Sequence, residues 1–188
     1  MLDKIITEAK NAVVAAIEGA EDIFSALRGA VKTTVVGTLK DTGEVATTGV
    51  EVVADVVTGA LQGTSQVGEA FISAVKVTVV GAVEGAAEAG SDVAGAIKEA
   101  TRGAIRGTSQ VGGDLGGAAV GAVEGAIEAA GNVGISAQDA AKSAILGVIQ
   151  AADEIGGEAS SSVKSALKGA ASLPREVVES VLGKDEDK

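Results

Sequence analysis

The sequence predicts an all-α protein without β-sheet. Long Gly/Ala/Val-rich amphipathic helices of 11-residue periodicity would be packed as a right-handed coiled coil, bundle or filament. Three observations predict this class. The phrase GALQGTSQV at residues 59–67 returns as GAIRGTSQV from Gly103, and GTLKDTGEV from Gly37 and GAVEGAAEA from Gly81 are looser copies in one 22-residue register. Fixed-period self-similarity is the signature of a repeat architecture. Within each unit the apolar residues recur at steps of three and four, and none of them alternates with the period of two that a strand needs. Finally, 46% of the residues are hydrophobic but only 1% aromatic, with 27 Gly, which suits thin helix–helix seams better than a thick core.

The repeat justifies its elements in order. Two places after each leading residue (Ala15, then Gly37, Gly59, Gly81, Gly103, Gly125 and Gly147) stand Ile17, Leu39, Leu61, Val83, Ile105, Ile127 and Ile149. Sixteen places on stand Val31, Val53, Val75, Ile97, Ala119, Ala141 and Val163, and twenty on stand Val35, Val57, Val79, Thr101, Val123, Ile145 and Leu167. Eleven residues in three turns is about 3.67 residues per turn, a period that winds a packed seam right-handed. Glu18, Lys40, Gln62, Glu84, Arg106 and Glu128 share one polar place opposite this stripe.

The glycines carry the packing expectation. Gly68, Gly90, Gly112, Gly134 and Gly156 fall on the apolar stripe, and Gly59/Gly63, Gly81/Gly85, Gly103/Gly107 and Gly121/Gly125 form GxxxG pairs at its edge. Each interior glycine costs about 1 kcal/mol of helix stability relative to alanine, so close approach of a second backbone is the expected compensation. An apolar-plus-small face covering half the helix predicts more than two helices in contact and a homo-oligomer, the partner being the chain itself. Lys32, Lys76, Lys98, Lys142 and Lys164 occupy one flank, and small residues with Asp41, Asp92, Asp114 and Glu158 the other, so that basic flanks would meet acidic ones.

Residues 1–171 are therefore read as one hendecad-repeat helical region. Turns are conceivable near Gly63, Gly107, Gly112, Asn132 and Asp153, where Gly, Asn, Asp and Ser cluster. Because each of these places keeps the register, a long continuous helix is the preferred arrangement. Pro174 is the firm punctuation, since it removes a backbone donor and disfavours helix at Leu173. Residues 172–183 then form a short final helix capped by Ser172, and 184–188 a charged tail.

Chemistry is expected to be absent. There is no His and no Cys, which removes the usual triads and zinc sites, and neither a Walker A nor a GxGxxG motif occurs. Carboxylate pairs such as Glu84/Glu88 and Asp153/Glu154 are explained by helical spacing on a solvated face. The expectation is no enzyme, no cofactor and no metal. A net charge of −11 argues against nucleic acid as a partner. The N-terminus lacks a signal-type apolar run and no stretch is long enough to span a bilayer, so a cytoplasmic location is expected.

The stretch TTGVEVVADVVTGALQGT, residues 47–64, resembles the 11-residue repeats of perilipins and, more loosely, synuclein-type repeats. That resemblance implies an amphipathic helix coating a neutral lipid surface. More broadly the chain is similar to hendecad-repeat coiled-coil proteins, which implies a structural or spacer role. The functional expectation is a structural protein that self-associates through its Gly/Val seam, with the lipid coat as alternative and a monomeric helical bundle serving as a binding module as a third reading.

Overall fold

Three times, 22 residues apart, the chain turns back on itself by the same device. After Glu88 the Gly90 amide donates to the Ala87 carbonyl (3.1 Å) and the Ser91 amide to the Ala86 carbonyl (3.0 Å). Gly112 with Gly113, and Gly134 with Ile135, repeat the closure onto Thr108 and Ala130. These are Schellman-type helix ends, in which a left-handed residue satisfies carbonyls the helix leaves open. Gly90, Gly112 and Gly134 have φ of 76°, 71° and 79°, a conformation that disfavours any side chain. Two residues later comes a cap: the carboxylates of Asp92 and Asp114 accept from the Ala94 and Gly116 amides, and Ser136 accepts from Asp139.

The computed structural model describes residues 2–18, 22–41, 50–64 and 70–183. These are helical without strands: α1 Leu2–Ile17, α2 Ile23–Asp41, α3 Glu51–Gly63, α4 Phe71–Glu88, α5 Val93–Gln110, α6 Leu115–Val133, α7 Ala137–Ile155, α8 Gly157–Gly169 and α9 Arg175–Leu182. The all-α expectation holds, but the continuous helix does not. One repeat is one helix plus one turn. The break near Gly107 is also corrected, since Gly107 lies inside α5.

Each helix packs most extensively on the helix two places along, and less on its immediate neighbours. The molecule is thus a two-row stack, with α1, α3, α5 and α7 in one row and α2, α4, α6 and α8 in the other. Consecutive helices are antiparallel and row neighbours parallel. The repeat's apolar places point between the rows. Val31, Val53, Val75, Ile97, Ala119, Ala141 and Val163 are buried, as are Val35, Val57, Val79, Val123, Ile145 and Leu167. Burying one such Val, Leu or Ile is worth about 1.5–3 kcal/mol, which lets a core without large rings hold the stack.

At the C-terminal end α9 packs onto the last two helices of the stack, α7 and α8. Leu173, Val177 and Val178 are buried there. Pro174, not Ser172, occupies the position before this helix, and no side chain caps it. The tail, 184–188, lies outside the described residues.

Candidate functional site

The most distinctive arrangement is the seam between row neighbours. A β-carbon placed on Gly81 would sit 2.5 Å from the Arg28 carbonyl oxygen, on Gly85 2.8 Å from that of Lys32, and on Gly125 2.5 Å from that of Lys76. Gly59 faces the Ile6 carbonyl, Gly103 that of Ala54, and Gly147 that of Lys98, all too close for any side chain. Gly63 lies against Lys10 and Val13, Gly107 against Thr58 and Leu61, and Gly121 against Ile72. The missing β-carbon lets a glycine Cα–H approach a carbonyl of the next helix, a weak contact that recurs at helix–helix interfaces. Threonines strengthen the same seam. Thr58 Oγ1 donates to Ala54 in its own helix (2.8 Å) and to Gly103 across the seam (3.2 Å). Thr101 Oγ1 likewise reaches the Ala144 carbonyl at 3.1 Å.

The glycines on the apolar stripe belong to a different class. Gly90, Gly112, Gly134 and Gly156 end helices at positive φ and have no neighbour within 4 Å of where a β-carbon would be. Their expected place in a packed seam is corrected: they make turns, and their small size serves the backbone angle. Gly68 lies outside the described residues.

The register of the seam slips once. Gly103, Gly125 and Gly147 each meet a residue 49 positions earlier, whereas Gly59, Gly63, Gly81 and Gly85 meet one 53 positions earlier. The four additional residues fall between Lys32 and Ala54. They amount to about one helical turn, so faces are preserved while α2 starts at Ile23 instead of at Leu27.

Charged side chains lace the rows externally. Arg28 forks onto Glu84, its Nε at 2.9 Å from Oε2, and Asn132 donates to the same carboxylate at 2.9 Å, joining α2, α4 and α6. Lys32 pairs with Glu88 (2.8 Å), Lys76 with Glu128 (3.0 Å) and Arg102 with Glu154 (2.7 Å). Of the lysine flank, Lys32 and Lys76 meet glutamates and Lys164 meets Asp153 (3.5 Å). The flank does not meet Asp92 and Asp114, which are helix caps. Glu84 is held below the usual carboxylate range: burial pushes it up, but the Arg28 and Asn132 hydrogen bonds outweigh that.

Two carboxylates missed as special by sequence reasoning occupy equivalent places in α3 and α5. Asp55 is 3% exposed and Glu99 9%. Burial raises both above the ordinary carboxylate range, against the pull of Arg106 and Arg102 on Asp55 and of Arg102 and Lys98 on Glu99. Arg106 is 3.9 Å from Asp55, and Arg102 is 3.5 Å from Glu99. The only signal in the sequence was an acid at the place where other repeats carry Val77, Gly121 or Ser143.

Among the described residues no group of three or more His, Cys, Asp or Glu could hold a metal ion, and no helix is long and apolar enough to cross a membrane. What the fold defines is a class, a stack of single-helix repeats joined by glycine turns. Comparison with protein-family models, curated proteins and solved structures found no match.

Proposed function

We propose that this chain is a non-enzymatic structural protein that associates with itself, using the small-residue helix seam as its joining surface. One observation carries the reading. The device that joins each row helix to the one before it runs through α3, α4, α5, α6 and α7 and, among the described residues, reaches α2 without a helix to receive it. Gly29 and Gly37 are exposed, with nothing within 4 Å of a β-carbon position. Terminal repeats of a stack ordinarily carry a polar outer face; this one is mostly small residues. The two most buried carboxylates among the described residues, Asp55 and Glu99, face arginines as structural ion pairs do.

The alternative, a coat on neutral lipid, requires the apolar faces to turn outward. In this fold they are interior, and Ile23, Leu146 and Ile155 are the large hydrophobic side chains left exposed among the described residues. Circular dichroism with mass from light scattering, with and without neutral lipid vesicles, tests the proposal. A helical chain heavier than one copy without lipid is the expected result. A helical monomer refutes self-association, and helix that forms only on vesicles favours the lipid coat.

A further inference from the structure

The exposed face of α2 is its own complement. Gly29 and Thr33 lie two residues either side of Val31, Ser25 and Gly37 six, and Asp22 and Lys40 nine, and all except the buried Val31 are exposed. Asp22 to Lys40 spans 18 residues, about five turns at 3.6 residues per turn, so these side chains share one straight face. A second α2 laid antiparallel across it with the two-fold axis beside Val31 sets Gly29 against Thr33, Ser25 against Gly37, and Asp22 against Lys40. Small meets small, and each carboxylate meets an ammonium group. The pairing also puts each helix N-terminus beside the C-terminus of its partner, the favourable order for the helix dipoles.

We infer that the α2 face binds the α2 face of a second copy, closing a two-fold dimer at the N-terminal end of the stack. This rests on the self-association reading and gives it a surface and a stoichiometry. Three features of the molecule choose a second copy as occupant. The face continues the seam already used within the chain: Thr33 and Gly37 stand on α2 where Gly81 and Gly85 stand on α4, allowing for the slipped turn. Its charges are self-complementary, as an isologous contact requires: Asp22 caps α2, accepting from the Phe24 and Ser25 amides (3.1 Å each) and the Ser25 hydroxyl (2.6 Å), and its negative charge stands exposed to face Lys40 of the second copy. Ile23, 38% exposed, adds an apolar contact at the rim. An isologous pair uses up the α2 face of both copies, so the assembly stops at two.

The experiment is mass by light scattering and sedimentation on the wild type, on Gly29→Leu with Gly37→Leu, and on Lys40→Glu. Among the described residues, nothing outside the backbone of α2 itself stands within 4 Å of a β-carbon at Gly29 or Gly37, so both variants should keep the wild-type dichroism. The wild type is expected at twice the chain mass of 18.2 kDa, and both variants at one chain mass. The wild-type dimer should also weaken as salt is raised. A wild-type dimer that persists in both variants overturns this surface but leaves self-association standing. A wild-type mass well above two chains overturns the closed pair. A wild type that stays at one chain mass overturns both proposals.

Discussion

Gly103→Ala separates the two effects a glycine has in this fold. In a solvent-facing helix interior the substitution stabilises by about 1 kcal/mol, through backbone entropy alone. At Gly103 the new methyl would lie 2.8 Å from Ala54 Cα and 2.9 Å from its carbonyl carbon, both backbone atoms of α3. Backbone cannot rotate away, so α3 and α5 must separate. Overpacking of this kind costs about 1–3 kcal/mol, and the lost Cα–H contact adds about 0.5–1 kcal/mol. The net expectation is a loss of about 1–2 kcal/mol, which for a chain of this size lowers Tm by roughly 2–8 °C. Gly131→Ala is the control. Gly131 is an exposed α6 residue with nothing within 4 Å of a β-carbon position, and it should gain about 0.5–1 kcal/mol. Thermal and urea melts followed by circular dichroism measure both. The reasoning is refuted if Gly103→Ala melts at or above wild type, as Gly131→Ala should.

At the turns, Gly112→Ala forces a β-carbon to a φ of 71° and should cost about 1–2 kcal/mol, with Gly112→Asn less damaging; urea midpoints of the two variants check the order. Asp55 and Glu99 set a pH dependence. Their folded pKa values lie above the unfolded ones, so the folded state takes up protons more readily and these groups add stability as pH falls through the folded values toward about 4. Asp55 feels Arg106, Arg102, Glu51 and Asp3, so Asp55→Asn should gain on wild type most at neutral pH and lose that advantage in acid. Urea midpoints that run parallel from pH 4 to pH 8 would show the Asp55 carboxylate to be effectively solvated. Arg102→Ala removes the partner of both Glu99 and Glu154. It should cost about 1–3 kcal/mol at neutral pH and less in acid, where Glu99 is protonated, again read from urea midpoints.

Much of the architecture was legible because the repeat is written in side-chain size. Val31, Val53, Val75 and Ile97 are buried where the step pattern placed them. Pro174 precedes α9, as its missing donor requires. The GxxxG positions could be read because a glycine that weakens its own helix needs a compensating neighbour. Ile23, Ala89, Val111, Val133 and Ile155 recur in the 22-residue register and are as apolar as the others, yet Ile23 and Ile155 are exposed and Ala89, Val111 and Val133 only half-buried. They sit at helix ends, and apolar character does not distinguish an end from a seam. The paired places of Asp55 and Glu99 were illegible for a different reason. They come from rows that skip one repeat, so neighbours in space are two units apart in sequence.

The choice between one long helix and a stack of short ones shows where periodicity stops being informative. Twenty-two residues is close to six helical turns, so a continuous helix returns each residue type to the same face. A helix of 18 residues with a four-residue turn also totals one repeat, as from Val93 to Leu115, and a regular stack returns each type to the same environment. The two structures share one phase, so keeping register through a break is no argument against the break. What separates them is local chemistry. Gly90-Ser91-Asp92, Gly112-Gly113-Asp114 and Gly134-Ile135-Ser136 each place a residue free to take positive φ two positions before an oxygen that can cap a helix. A continuous helix has no use for that pairing, since both features cost it stability. Its recurrence every 22 residues makes each turn as much a part of the repeat as the seam glycines Gly81, Gly103, Gly125 and Gly147.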